Sequence, residues 1–190
     1  MHNRFLTNLA LHISLDPSET DLVLAKLHSR QVKKNTYLLR EGDICRHFYF
    51  VNEGCIRLFH TDSKGEDHNI LFCPENWWIT DITSFSGQLP AFYSISTMED
   101  SEIFYFTHDE LEQLYLTVPK IERFFRILIQ NGFSMYQRRI TSNLSLAADE
   151  RYARFSQLYP GIEQRITQKQ IASYLGITPA FLSMIRGKKL

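Results

Sequence analysis

Between Thr36 and Phe106 the chain alternates short runs of β-branched, aromatic and aliphatic residues with polar turns. On either side, apolar positions recur every three or four residues. The central runs are TYLLRE (36–41), HFYFVN (47–52), CIRLFHTD (55–62), DHNILF (67–72), AFYSIST (91–97) and SEIFYF (101–106). Glu41-Gly42-Asp43, Glu53-Gly54, Ser63-Lys64-Gly65-Glu66 and Met98-Glu99-Asp100 punctuate them. Strands of this length and spacing predict a sandwich or small barrel of the jelly-roll kind. Upstream, residues 3–13 and 18–28 read as two short helices, the second opening at Asp16-Pro17-Ser18 and turning Leu22, Ala25 and Leu27 towards a core.

Helical spacing returns at Thr107, whose hydroxyl and Glu110 three residues on form a capping box. A longer helix is expected from Val118-Pro119 to about Ser142. Ile121, Phe125, Leu128, Gly132 and Met135 alternate spacings of four and three along it, the seam of a two-stranded coiled coil. Phe124 and Ile127 form a second stripe suited to the strands. NLSLAAD (143–149) reads as a boundary, and Glu150 to Tyr159 as a further helix ended by Pro160-Gly161. Beyond it, Ile171, Leu175, Ile177, Leu182 and Ile185 suit two short helices crossing at a tight turn. Ala172 and Gly176 give close approach and positive φ there, Thr178 can cap the second helix, and Pro179 suits its first position. This spacing is that of a helix-turn-helix. The expected fold is therefore α+β: a β jelly-roll domain over 1–117, a dimerisation helix and linker over 118–145, and a small helix-turn-helix domain over 146–190.

Charge sharpens the last assignment. The 21 basic and 21 acidic residues of the chain balance, yet residues 151–190 hold seven Lys or Arg against Glu163 alone, a formal +6 that leaves −6 on the rest. Cations gathered on a helix-turn-helix suit the phosphates of double-stranded DNA. No apolar run reaches the roughly 18 residues of a membrane span, and the N-terminus lacks the pattern of a secretory signal, so a cytoplasmic protein is expected. Cys45, Cys55 and Cys73, odd in number and widely spaced, suit reduced thiols rather than disulfides or metal ligands. His47, His60 and His68 include no His-x-His pair, and no phosphate loop or nucleophile elbow occurs. Neither a catalytic site nor a metal site is expected.

The order of these parts, with LLREGD (38–43), YFVNEG (49–54), IRLF (56–59), KGE (64–66) and above all RITQKQIASYLGIT (165–178), resembles the Crp/Fnr family of bacterial transcription regulators. The resemblance implies a homodimer that lays two recognition helices in successive major grooves of an operator and works with RNA polymerase, under control of an effector. It places an effector pocket around Trp78, Thr80, Asp81, Ile82, Ala91 and Phe92. Here Thr80-Asp81 stands where nucleotide-binding members carry Gly-Glu, and Ala91-Phe92 where they carry the Arg-Ser pair that holds the cyclic phosphate. Losing such a charge-assisted bond costs about 1.5–3 kcal/mol, so cyclic AMP is not the expected effector, and no cofactor is expected. Trp77, Trp78, Phe85, Phe92 and Tyr93 suit either an aromatic ligand site or plain core. The N-terminal cysteine cluster of the family's oxygen-sensing branch is not matched.

In the head, Ala180 and Met184 stand where relatives commonly place an acid and an arginine. Thr178, Pro179, Ala180, Ser183 and Met184 are then the candidates to face base edges, with Gln168, Lys169, Arg186, Lys188 and Lys189 on phosphates. A reading face so poor in charge implies modest or A·T-biased specificity. It also leaves open a sensing or interaction module that has lost sequence-specific DNA binding.

Overall fold

The computed structural model describes residues 2–187. Two short helices, α1 (Asn3–Ala10) and α2 (Pro17–Lys26), lead into eight strands. These are β1 (His28–Val32), β2 (Tyr37–Leu39), β3 (His47–Glu53), β4 (Ile56–Thr61), β5 (Asp67–Cys73), β6 (Trp78–Ile79), β7 (Ser94–Thr97) and β8 (Ser101–Thr107), with α3 (Ile82–Gly87) between β6 and β7. Helices α4 (His108–Thr117), α5 (Pro119–Ser145), α6 (Ala148–Leu158), α7 (Gln168–Leu175) and α8 (Pro179–Gly187) follow.

The strands form two antiparallel four-stranded sheets, ordered β1-β8-β3-β6 and β2-β7-β4-β5. Period-two alternation gives β3 and β8 two apolar faces. Phe48 pairs with Phe106 and Phe50 with Phe104, setting four aromatic rings on one face of the sheet. Phe5 of α1 meets Phe50, Phe104, Phe106 and Trp78 at ring-centroid distances of 5.7–6.3 Å. From α5, Phe125 lies 5.0 Å from Phe48 and 5.2 Å from Trp78, and Phe124 lies 5.7 Å from Trp78. Burying each such ring contributes about 1.5–3 kcal/mol, so this aromatic seam fastens the long helix to the sandwich.

Several sequence expectations are corrected. Leu22 and Ala25 are exposed while Val23 is buried, because α2 turns a different face inwards. The expected helix over 18–28 stops at Lys26, and His28 opens a strand paired to β8. Helix α3 was not anticipated, its six residues being too few to show a period. Local signals fare better: Thr107 Oγ1 accepts from the Glu110 amide at 3.3 Å, and Glu110 Oε2 accepts from the Thr107 amide at 3.0 Å.

The main correction concerns α5. Ile121 and Phe125 are 1% and 2% exposed within their own domain, and Leu128 and Met135 pack on the same core. Ile121 and Phe125 are therefore already covered within the chain, while Leu128, Gly132 and Met135 line an open groove beside Trp78. The exposed apolar positions are Ile129, Phe133, Ile140 and Leu144, spaced four, seven and four apart. They form one stripe turned roughly 100° around the helix from the expected seam. Heptad spacing marks an apolar stripe without saying what covers it. Here the Phe124-Phe125 pair decides, because both rings find aromatic partners in the sheet.

Candidate nucleic-acid interface

The head is built on Tyr152 and Phe155 of α6, Tyr159 just after it, Ile171 and Leu175 of α7, and Leu182 and Ile185 of α8, all buried. Thr167 caps α7 in a box with Gln170, and Gly176 ends it with φ of 66°, the left-handed turn that admits the second helix. Thr178 Oγ1 accepts from the Phe181 amide at 3.2 Å and so caps α8. The caps and the two buried leucines fix the crossing. What α8 leaves outside is Thr178, Pro179, Ala180, Ser183 and Met184, joined by Phe181 at 41% exposure. Sequence reading passed over Phe181 because an aromatic residue beside Leu182 reads as core. Its position one residue before that buried leucine was the available signal.

Of the expected phosphate contacts, Gln168 and Lys169 are exposed at the start of α7, and Arg186 is half-buried with Nη2 3.7 Å from Glu163. Lys188 and Lys189 lie outside the described residues. The formal +6 is thinner at the reading face than along the sequence. Arg165 donates to Glu75 at 2.9 and 2.8 Å and to Glu99 at 3.1 Å, so its charge is spent on the sensor half. Burial works to raise the Glu75 carboxyl, but the Arg165 guanidinium and backbone amides hold it below the usual glutamate range. Hydrogen bonding to Glu75 in turn holds Arg165 more firmly protonated than usual.

Further polar contacts dock α7 along β5, the last strand of its sheet. Ser173 Oγ accepts from the Asn69 amide at 3.0 Å and donates to the Asp67 carbonyl at 2.6 Å. Asn69 Nδ2 donates to the Gln170 carbonyl at 3.2 Å. Arg139 of α5 stacks on Tyr174, 3.8 Å from the ring centre, and donates to the carbonyls of Asn69, Ile70 and Tyr174. Phe72 completes the joint with ring contacts to Phe155, Tyr159 and Tyr174 at 5.7–6.2 Å.

The residues expected to form an effector pocket are not gathered into one cavity. Asp81 is 2% exposed, and its carboxylate accepts from the amides of Ser84 at 3.1 Å, Phe92 at 3.0 Å and Tyr93 at 3.2 Å. It caps α3 and ties down the 91–93 segment. That carboxylate thus engages the amides of the 91–93 segment, where the resemblance led to an expected phosphate position. Ala91 is buried, while Phe92 is 58% exposed and stacks on His60 at 4.6 Å. Trp78, Thr80 and Ile82 instead line an apolar groove of about 490 Å³, shared with Phe124, Leu128 and Met135 of or against α5. Cys45, Cys55 and Cys73 are buried free thiols, and burial pushes Cys55 up to about 12. No described helix is long and apolar enough to cross a membrane. Among the described residues no three His, Cys, Asp or Glu side chains gather as metal ligands.

Residues 29–117 match the family model of the cyclic nucleotide-binding domain. The whole chain is similar to the regulatory protein HlyX of Actinobacillus pleuropneumoniae, 27% identical over 209 residues, covering 98% of this chain and 82% of that protein. It is also similar to the anaerobic regulatory protein of Bacillus subtilis, 27% identical over 109 residues, covering 53% of this chain but only 46% of the relative. In fold it is similar to the c-di-GMP-responsive global regulator CLP of Xanthomonas campestris, with a TM-score of 0.74, 15% identity and 91% of each chain covered. With a nucleotide-binding-type sandwich, a long α5 and a C-terminal helix-turn-helix in one chain, this protein is similar along its length to regulators of the Crp/Fnr type.

Proposed function

We infer that the chain is a DNA-binding transcription regulator that meets its operator as a homodimer in the cytoplasm and acts there with RNA polymerase. The observation that carries the reading is α8, capped at Thr178, anchored by Leu182 and Ile185, and presenting Thr178, Ala180, Phe181, Ser183 and Met184 to solvent. A helix so mounted fits a major groove, where methyl and aromatic contacts favour thymine. The exposed stripe Ile129, Phe133, Ile140 and Leu144 supports pairing of two α5 helices, which sets two heads at a fixed spacing. Engagement of Asp81 with its own backbone supports an effector other than cyclic AMP.

Fluorescence anisotropy with duplexes selected from random DNA tests this reading. The expected result is an A·T-rich palindromic consensus, with affinity falling steeply as salt rises. Lys169→Gln should weaken binding about equally on all sequences and lower the salt slope by about 1. The near-neutral reading face favours a second reading, in which the head serves structure and has lost sequence recognition. A selection that returns no consensus would support it.

A further inference from the structure

At the joint between the long helix and the head lies a second concavity, of about 410 Å³, walled by α5, α6 and α7 and by no residue of α8. Its lining holds four arginines, Arg138, Arg139, Arg151 and Arg154, and no carboxylate. What these guanidiniums bond to is neutral. Arg139 donates to backbone carbonyls, Arg154 Nη1 donates to Ser142 Oγ at 2.7 Å, and Arg151 Nη1 donates to the Leu146 carbonyl at 3.1 Å. Arg151 Nε is buried without a hydrogen-bond partner. Arg138 is exposed and makes no ion pair among the described residues.

Elsewhere the chain pairs its half-buried arginines with acids, as at Arg165 with Glu75 and Glu99 and at Arg57 with Asp67. Four like charges around one hollow repel each other, and a buried donor without an acceptor is unfavourable. An anion seated among them relieves both, and guanidiniums suit the oxygens of phosphate in particular. The remaining lining adds Met135, Leu158 and Leu175, which gives a bound molecule an apolar wall beside the cationic one. The volume is that of a small-molecule site.

We propose that this hollow binds a small organic phosphate, its phosphate on Arg138, Arg151 and Arg154 and its body against Met135, Leu158 and Leu175. The site shares no residue with α8 or with the Asp81 segment. Because its walls come from the spine and from both helices that carry α8, an occupant joins the head to the spine.

Calorimetric titration of the full chain tests the proposal, using adenosine 5′-monophosphate and inorganic phosphate as probes at fixed ionic strength. Wild type should take up the nucleotide saturably, at least about 10-fold more tightly than inorganic phosphate, an effect of about 1.4 kcal/mol. Arg151→Gln with Arg154→Gln should weaken it at least about 10-fold. Arg138→Gln, at an exposed position, should weaken it several-fold and serves if the double variant melts without cooperativity. Absence of saturable binding up to about 1 mM, a Kd corresponding to only about 4 kcal/mol, would overturn the proposal. So would an affinity unchanged in both variants. If neither probe binds but the variants lose duplex affinity with a lower salt slope, the arginines serve the DNA backbone and the proposal is also overturned.

Discussion

Arg165→Gln should loosen the head from the sensor half. The guanidinium makes paired bonds to Glu75 at 2.9 and 2.8 Å and reaches Glu99 at 3.1 Å, with the three side chains 28%, 29% and 33% exposed. A fully exposed ion pair contributes about 0.2–1 kcal/mol, and removing one partner of a buried pair costs about 3–5 kcal/mol. At this intermediate exposure solvent screens part of the interaction, so the single variant should lose about 2 kcal/mol. A double-mutant cycle with Glu75→Gln should return a coupling of about 1–2 kcal/mol. Urea unfolding followed by tryptophan fluorescence suits the measurement, because Trp77 lies 5.4 Å from Tyr159 of the head. The pH dependence gives a second reading of the same contact. Arg165 holds the Glu75 carboxyl low against the upward pull of burial, so the stabilisation is present above the ordinary glutamate pKa and is lost as pH falls through the lowered folded value. The gap between wild type and variant should therefore be full at pH 7, begin to narrow as pH falls below about 4.3, and close only below the lowered folded value. A coupling under about 0.5 kcal/mol, or a gap that does not change with pH, would refute the reasoning.

Asp81→Asn should destabilise the sensor half by about 1–3 kcal/mol in thermal or urea unfolding, since an amide puts a donor against backbone donors it cannot satisfy. A neutral outcome would mean that the carboxylate is not what holds the 91–93 segment. Phe133→Glu, on the exposed stripe of α5, should raise the dimer dissociation constant at least about 100-fold in sedimentation velocity. Two copies of a ring each contribute about 1.5–3 kcal/mol when covered. Ile121→Ala should instead cost stability within each chain, about 2–5 kcal/mol, because that side chain is already buried there.

How much was legible follows from the range of each signal. The strand runs, the Thr107–Glu110 box and the Thr178 cap are local, set by residues within a few positions of each other, and they stand in the structure where the spacing put them. The covered side of α5 was not legible, because Ile121 and Ile129 are equally apolar and only the aromatic sheet face decides between their stripes. Asp81 was legible as a departure from the family pattern, but not as an internal cap. That role needs amides 11 and 12 residues away brought to its carboxylate by the β6–β7 connection. The charge of the head misled in part, since nothing near Arg165 in sequence announces Glu75 and Glu99.

The seating of α7 along β5 has a consequence for how freely the head can be dispensed with. As the terminal strand of its sheet, β5 turns backbone amide and carbonyl groups away from β4, and at Asp67 and Asn69 the hydroxyl of Ser173 satisfies them. A bare strand margin of this kind invites pairing with another chain. Shortened to its first 145 residues, the protein should therefore clump through β5, so the C-terminal helices also keep the sandwich from sticking to its own kind.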